Sequence, residues 1–132
     1  MDKKYEGLVK QALEAMENSY SPYSKFKVGA AVLTKGGKVY TGTNVENASY
    51  GLSMCAERVA IFKAVSEGCT EFEAMAIASA SGDASPCGAC RQVMQEFSPN
   101  MKVIFGGKEF SLSELLPRPF SGGGLNARFR GA

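Results

Sequence analysis

Two short segments concentrate the residues able to do chemistry: Cys55-Ala56-Glu57-Arg58 and Ser85-Pro86-Cys87-Gly88-Ala89-Cys90. Cys87 and Cys90 stand three apart, so on a helix they share a face and can chelate one ion. Cys55 offers a third thiolate. Three protein sulfurs leave the fourth tetrahedral position of a zinc ion open for water, as in a catalytic rather than a structural centre. Glu57 follows Cys55 by two residues, near such an ion without being needed as a ligand. A carboxylate there can take a proton from water and hand it on.

The 132-residue chain contains no histidine. That excludes Ser-His-Asp and Cys-His nucleophile systems and HExxH zinc sites. Acid–base work near neutral pH then falls to a carboxylate, Lys, Tyr or Cys, and a tight zinc site must be rich in cysteine. Each feature taken singly has an ordinary reading. A lone CxxC is equally a redox dithiol or a pair of core thiols, and a first-turn glutamate is favoured by the helix dipole. Taken jointly, C-x-E followed by P-C-x-x-C is the all-cysteine form of the zinc deaminase signature, in which the glutamate moves the protons. Cys69 lies beyond the helix begun by Cys55, roughly 20 Å away at 1.5 Å per residue, and is read as a core or surface thiol.

These residues need elements to hold them. Apolar groups at helical spacing over residues 2–18 predict an amphipathic helix. Residues 27–34 and 38–45 read as a hairpin around Lys35-Gly36-Gly37-Lys38. On its second strand Asn44 and Glu46 share a face, because side chains alternate with period two. A helix is expected from about Cys55 to Glu67, capped by Gly68. Residues 72–79 read as a buried strand, Cys87–Phe97 as a helix and Met101–Phe105 as a strand. Ser111-Leu112-Ser113-Glu114 reads as a capping box for a short last helix. The order α-β-β-α-β-α-β-α implies an α/β fold, three layers (α/β/α) around a mixed sheet of four to five strands.

The net charge of +2 is mild and spread along the chain, unlike the concentrated basic face of a nucleic-acid binder. No apolar run approaches the ~20 residues needed to span a bilayer. Met1-Asp2-Lys3-Lys4-Tyr5 opens without the apolar stretch of a signal peptide, so the expected location is the cytoplasm. Charged residues make up 21%, slightly below the usual share of about 25%, which suits a surface partly covered by a partner subunit. One domain over residues 1–132 is expected, with an irregular glycine-rich tail from about residue 121.

The chain resembles the small, homotetrameric cytidine deaminases of bacteria and animals. The resemblance rests on residues 21–31 (Ser21-Pro22-Tyr23-Ser24 through Ala31), on 42–50 (Gly42-Thr43-Asn44-Val45-Glu46-Asn47-Ala48-Ser49-Tyr50), on Cys55-Ala56-Glu57-Arg58, on 85–92, and on Leu115-Leu116-Pro117 with Phe120. It implies one zinc ion per subunit on Cys55, Cys87 and Cys90, with Glu57 as the proton shuttle. It implies that Asn44 and Glu46 bind the sugar hydroxyls of cytidine or deoxycytidine and that Phe26 packs on base and sugar. The Ala56 and Ser85 backbones would meet the base carbonyl and amino group. Ala48, Tyr50 and Phe120 would enter a neighbouring subunit's site. Arg58 would offset the net −1 of zinc with three thiolates by hydrogen bonding to sulfur, and Gln92 would orient Arg58. Alternative readings are a deaminase of a related aminonucleoside, such as an antibiotic or a modified cytosine nucleoside, an editor of nucleic acid, and a structural zinc or interaction module.

Overall fold

The computed structural model describes residues 1–122; the greater part of the glycine-rich tail lies outside them. The first helical stretch is a 3-10 turn, Lys3–Tyr5, continued by α1 (Glu6–Met16). Then come β1 (Val28–Thr34), β2 (Val39–Thr43), α2 (Ala56–Ser66), β3 (Phe72–Ser79), α3 (Gly88–Phe97), β4 (Lys102–Phe105), β5 (Lys108–Ser111) and α4 (Leu112–Leu115). The sheet has five strands in the order β2-β1-β3-β4-β5. The fifth forms as the return arm of a tight hairpin, where Gly106 and Gly107 both take positive φ. The capping box does not form: Ser111 ends β5, makes no side-chain cap bond, and lies 3.2 Å from the Ser113 hydroxyl instead.

Strand alternation builds the three layers. On one face Ala31, Ala74, Ala76, Ala78 and Ile104 meet Tyr5, Leu8 and Ala12 of the N-terminal helix. On the other, Ala30, Val32, Met75, Ile77 and Val103 meet Ala56, Ala60, Ile61 and Ala64 of α2, together with Cys90 and Met94 of α3. Although α2 is apolar nearly all round, it leaves Phe62 43% exposed.

Topology decides where the site lies. Both β2 and β3 run antiparallel to β1, on either side of it, so β2 and β3 point the same way. The helices that follow them, α2 and α3, therefore begin at one edge of the sheet, where β1 starts. That is the carboxyl-end crevice in which open α/β sheets bind ligands.

Two glycines set how closely the helices sit. A Cβ on Gly29 would fall 2.1 Å from the Ala12 carbonyl oxygen, and one on Gly42 would fall 2.5 Å from Ala60 N and 2.6 Å from Ala56 O. Both collisions are with backbone, which no rotamer change relieves. Gly42→Ala is expected to cost about 3 kcal/mol, as overpacking does, read as a lower urea midpoint. An unchanged midpoint would mean that α2 moves aside freely.

Candidate active site

Cys55 and Cys87 are the N-cap residues of α2 and α3, with extended backbone and no side-chain cap bond of their own. Their thiols are thus free to face each other where two helix dipoles present positive ends. The sulfurs of Cys55 and Cys87 lie 3.8 Å apart, those of Cys87 and Cys90 lie 3.4 Å apart, and all three fall within 4.8 Å of one another. A tetrahedral ion with Zn–S bonds of about 2.3 Å needs sulfurs about 3.8 Å apart. The donor set and its spacing therefore fit zinc. Cys69 stands outside the cluster, its sulfur 3.5 Å from the Tyr40 hydroxyl.

The thiols share their protons unequally. A hydrogen bond from Cys90 and the Arg58 guanidinium bring Cys55 down to about 5, a thiolate at neutral pH, against the cost of burial. The same bond, with burial, pushes Cys90 up. Binding a metal expels such remaining thiol protons. Arg58 Nη2 donates to Cys55 Sγ at 3.3 Å, while its Nε is buried without a partner. Glu57, in the first turn of α2, is only 5% exposed. Burial, helped by the Cys55 charge, raises its carboxyl above the ordinary value.

Beside these groups opens a cavity of about 480 Å³, whose walls include Phe26, Asn44, Glu46, Cys55, Ala56, Glu57, Ser85 and Cys87. It takes Phe26 from the segment just before β1, Val28 from the first position of β1, Ile77 from β3, and Asp83 and Ala84 from the loop after β3. Its charged walls are Glu46, Glu57 and Asp83, and among the described residues no Lys or Arg lines it.

Strand β2 ends at Thr43, two residues short of the expected limit. Asn44 and Glu46 nevertheless reach the same cavity, because two isolated bridges clamp Val45 between Tyr20 and Met54. Hydrogen bonds leave each side chain with little spare capacity. Asn44 Oδ1 accepts from Val28 N at 3.0 Å and from the Ser19 hydroxyl, and its Nδ2 donates to Phe26 O at 2.7 Å. Glu46 Oε1 accepts from Tyr23 N and Ser24 N, both at 3.0 Å, and Oε2 accepts from the Ser24 hydroxyl. These bonds, the hydroxyl's first among them, hold Glu46 below the usual carboxylate range. An amide has two N–H donors and a carboxylate about four lone-pair sites. One donor on Asn44 and one acceptor site on Glu46 Oε2 are therefore left over.

Ala48, Tyr50 and Phe120 do not line this cavity. Tyr50 is 74% exposed and Phe120 60% exposed. Gln92 requires a correction: it makes no hydrogen bond to Arg58. Its Nε2 donates to Phe120 O at 2.7 Å, and its Oε1 accepts from Phe120 N at 3.2 Å. Two residues past Cys90 is about 200° around a helix, so Gln92 faces away from the thiols.

Arg91 received no role from the sequence. Its guanidinium donates to Pro86 O at 2.9 Å, Leu115 O at 2.7 Å and Ser85 Oγ at 2.9 Å, fastening the loop that delivers Cys87 to α3 and α4. Its position four residues after Cys87, on the same helical face, was the available signal.

The profile of the family described as "Cytidine and deoxycytidylate deaminase zinc-binding region" matches residues 2–107. The chain is 50% identical over 126 residues to the cytidine deaminase of Halalkalibacterium halodurans, covering 90% of this chain and 96% of that one. The crystal structure of cytidine deaminase from Burkholderia pseudomallei superposes with a TM-score of 0.83 at 46% identity, covering 91% of this chain and all (100%) of that one. A more distant relative, at 31% identity over 127 residues, is the blasticidin-S deaminase of Bacillus cereus, with 86% and 90% of the two chains covered.

Proposed function

Because the chain belongs to the cytidine and deoxycytidylate deaminase family, we propose that it hydrolyses cytidine and deoxycytidine to uridine and deoxyuridine, releasing ammonia. The observation that carries this reading is one cavity whose walls hold a buried glutamate, two of the three clustered sulfurs, and Asn44 and Glu46 with one spare donor and one spare acceptor. A single hydroxyl accepts from Asn44 while donating to Glu46, so one sugar hydroxyl satisfies both. Ribose and deoxyribose both carry hydroxyls that can do so, the 3′-hydroxyl being common to the two.

Cys55, Cys87 and Cys90 would hold zinc, one ion per subunit, and the ion supplies the Lewis acidity that eases deprotonation of water. Glu57 accepts the proton of the attacking water, whose oxygen adds to C4 of cytosine. Its carboxyl then protonates N3 and afterwards carries a proton to the departing amine, so one side chain serves as base and acid. Phe26 packs on base and sugar. The backbones of Ala56 and Ser85 fix the base carbonyl and amine. Arg58 draws negative charge off the Cys55 sulfur.

The whole chain is read as one catalytic domain, residues 1–132, with an irregular tail from about residue 121. The exposed Tyr50, Phe62 and Phe120 suit assembly as a homotetramer in which Ala48, Tyr50 and Phe120 complete neighbouring sites. Among the described residues no helix is long and apolar enough to cross a membrane. Pyrimidine salvage in the cytoplasm is the setting that fits.

Zinc content measured together with ammonia release tests the reading, with one ion per chain and release from cytidine as the expected result. Ammonia release from blasticidin-S but not from cytidine would favour the second reading, an aminonucleoside antibiotic as substrate. The acidic walls also set a limit. A substrate bearing a 5′-phosphate meets three carboxylates and, among the described residues, no Lys or Arg in the wall. Its kcat/KM is expected to fall on the order of 10²-fold below that of deoxycytidine, a gap that narrows as salt is added. Equal values for deoxycytidine and its 5′-phosphate would reject the argument.

A further inference from the structure

We propose that Ser24 is a positioning residue for the sugar end of the substrate, its hydroxyl locking Glu46 and the Phe26 backbone into one unit. The inference rests on the reading that Glu46 takes a sugar hydroxyl. Ser24 lies in the cavity wall, in the segment between α1 and β1. Its hydroxyl donates to Glu46 Oε2 and accepts from Phe26 N at 3.0 Å. The fold brings the two together through Lys25, which takes a left-handed φ of 60°, and through the turn closed by Lys25 N donating to Ser21 O at 3.0 Å. A lysine held in that region stores strain that the surrounding bonds must hold in place.

The division of labour between the two carboxylate oxygens gives Ser24 its role. Oε1 is saturated by the Tyr23 and Ser24 amides. The spare acceptor site lies on Oε2, and the hydroxyl is the contact that aims it. Without the hydroxyl, Glu46 stays tethered by Oε1 but its free lone pair is no longer directed into the cavity. Phe26 N loses its acceptor at the same time. Both Ser24 and Phe26 are exposed, so water replaces the lost bonds and folding is little affected. The loss falls on substrate binding, equally in the ground and transition states, and therefore on KM rather than kcat.

The test uses zinc-loaded enzyme and cytidine. Ser24→Ala is expected to raise KM about tenfold, the worth of one hydrogen bond, with kcat within about twofold. Ser24→Thr, which keeps the hydroxyl, restores KM. In a Glu46→Gln background, Ser24→Ala adds little further, because coupled neighbours are not additive. An unchanged KM for Ser24→Ala beside a raised KM for Glu46→Gln overturns the inference alone. So does a fall in kcat, a failure of threonine to rescue, or full additivity with Glu46→Gln. An unchanged KM for Glu46→Gln overturns the sugar-binding reading of Glu46, and the role of Ser24 with it.

Discussion

Glu57→Ala is expected to keep one zinc per chain and to lose on the order of 10⁴-fold in turnover of cytidine, the worth of a positioned acid–base group. The two parts of this result separate for a physical reason. Glu57 sits two residues past Cys55, in the first turn of α2, and the three sulfurs already lie within 4.8 Å of one another. Removing the carboxylate therefore leaves the ion's ligands in place. The proposed proton path would be lost entirely, since the chain has no histidine to substitute and the other cavity carboxylates, Glu46 and Asp83, come from separate loops. Glu57→Gln sharpens the result: it preserves size and hydrogen bonding but cannot shuttle a proton, so its turnover falls as far. Zinc analysis beside single-turnover kinetics checks both variants. Near-normal turnover in either removes Glu57 from the mechanism.

Cys87→Ala is expected to abolish zinc retention and activity together. Cys87 is exposed, whereas Cys90 is fully buried, so truncating Cys87 removes a ligand at little packing cost. Turnover is expected to drop at least on the order of 10³-fold, matching the loss of several kcal/mol of Lewis-acid assistance. Stability separates a lost ligand from a damaged fold. An ion present at a hundred times its dissociation constant stabilises the native state by about 2.7 kcal/mol. Chelator should thus lower the melting temperature of the parent protein and leave that of Cys87→Ala unmoved, at the same final value. Cys69→Ala, altered outside the cluster, should keep its zinc. A Cys87→Ala protein that retains zinc through dialysis would contradict the ligand assignment.

The cluster of Cys55, Cys87 and Cys90 with Glu57 beside it was legible because the relations within each segment are local. Cys87 and Cys90 are three apart, and Glu57 is two past Cys55. The helix starts at Cys55 and Cys87 were also readable, because in each case a loop carrying Ser and Gly or Pro gives way to a run of helix-forming residues, apolar nearly all round after Cys55 and amphipathic after Cys87. What the sequence could not convey were contacts made between loops distant along the chain. Gln92 pairs with Phe120, 28 residues on, and Arg91 with Leu115, 24 residues on. Nothing at position 92 names its partner; the direction of the helix face does, and that needs the fold. The capping box at Ser111 failed for a related reason. Its pattern is local, but the residue was already committed to pairing with Lys102 in β4. The spare valences of Asn44 and Glu46 depended on Ser19, Tyr23 and Ser24, in a segment whose path is set by a left-handed lysine.

Gly29 and Gly42 lie on neighbouring strands, one residue out of register: Gly29 opposite Thr43, and Gly42 opposite Ala30. They face opposite sides of the sheet, towards α1 and α2 respectively. At this point helix, strand and helix meet backbone to backbone, with no side chains between them. Side-chain layers yield to a load by changing rotamer, and main-chain contacts do not. The stack is therefore stiff along its short axis. The turn of α2 that bears Glu57 is mounted on its least compliant part. A proton carrier that must serve several transfers without being re-aimed gains from such a mounting, because its alignment is settled when the chain folds rather than during each turnover.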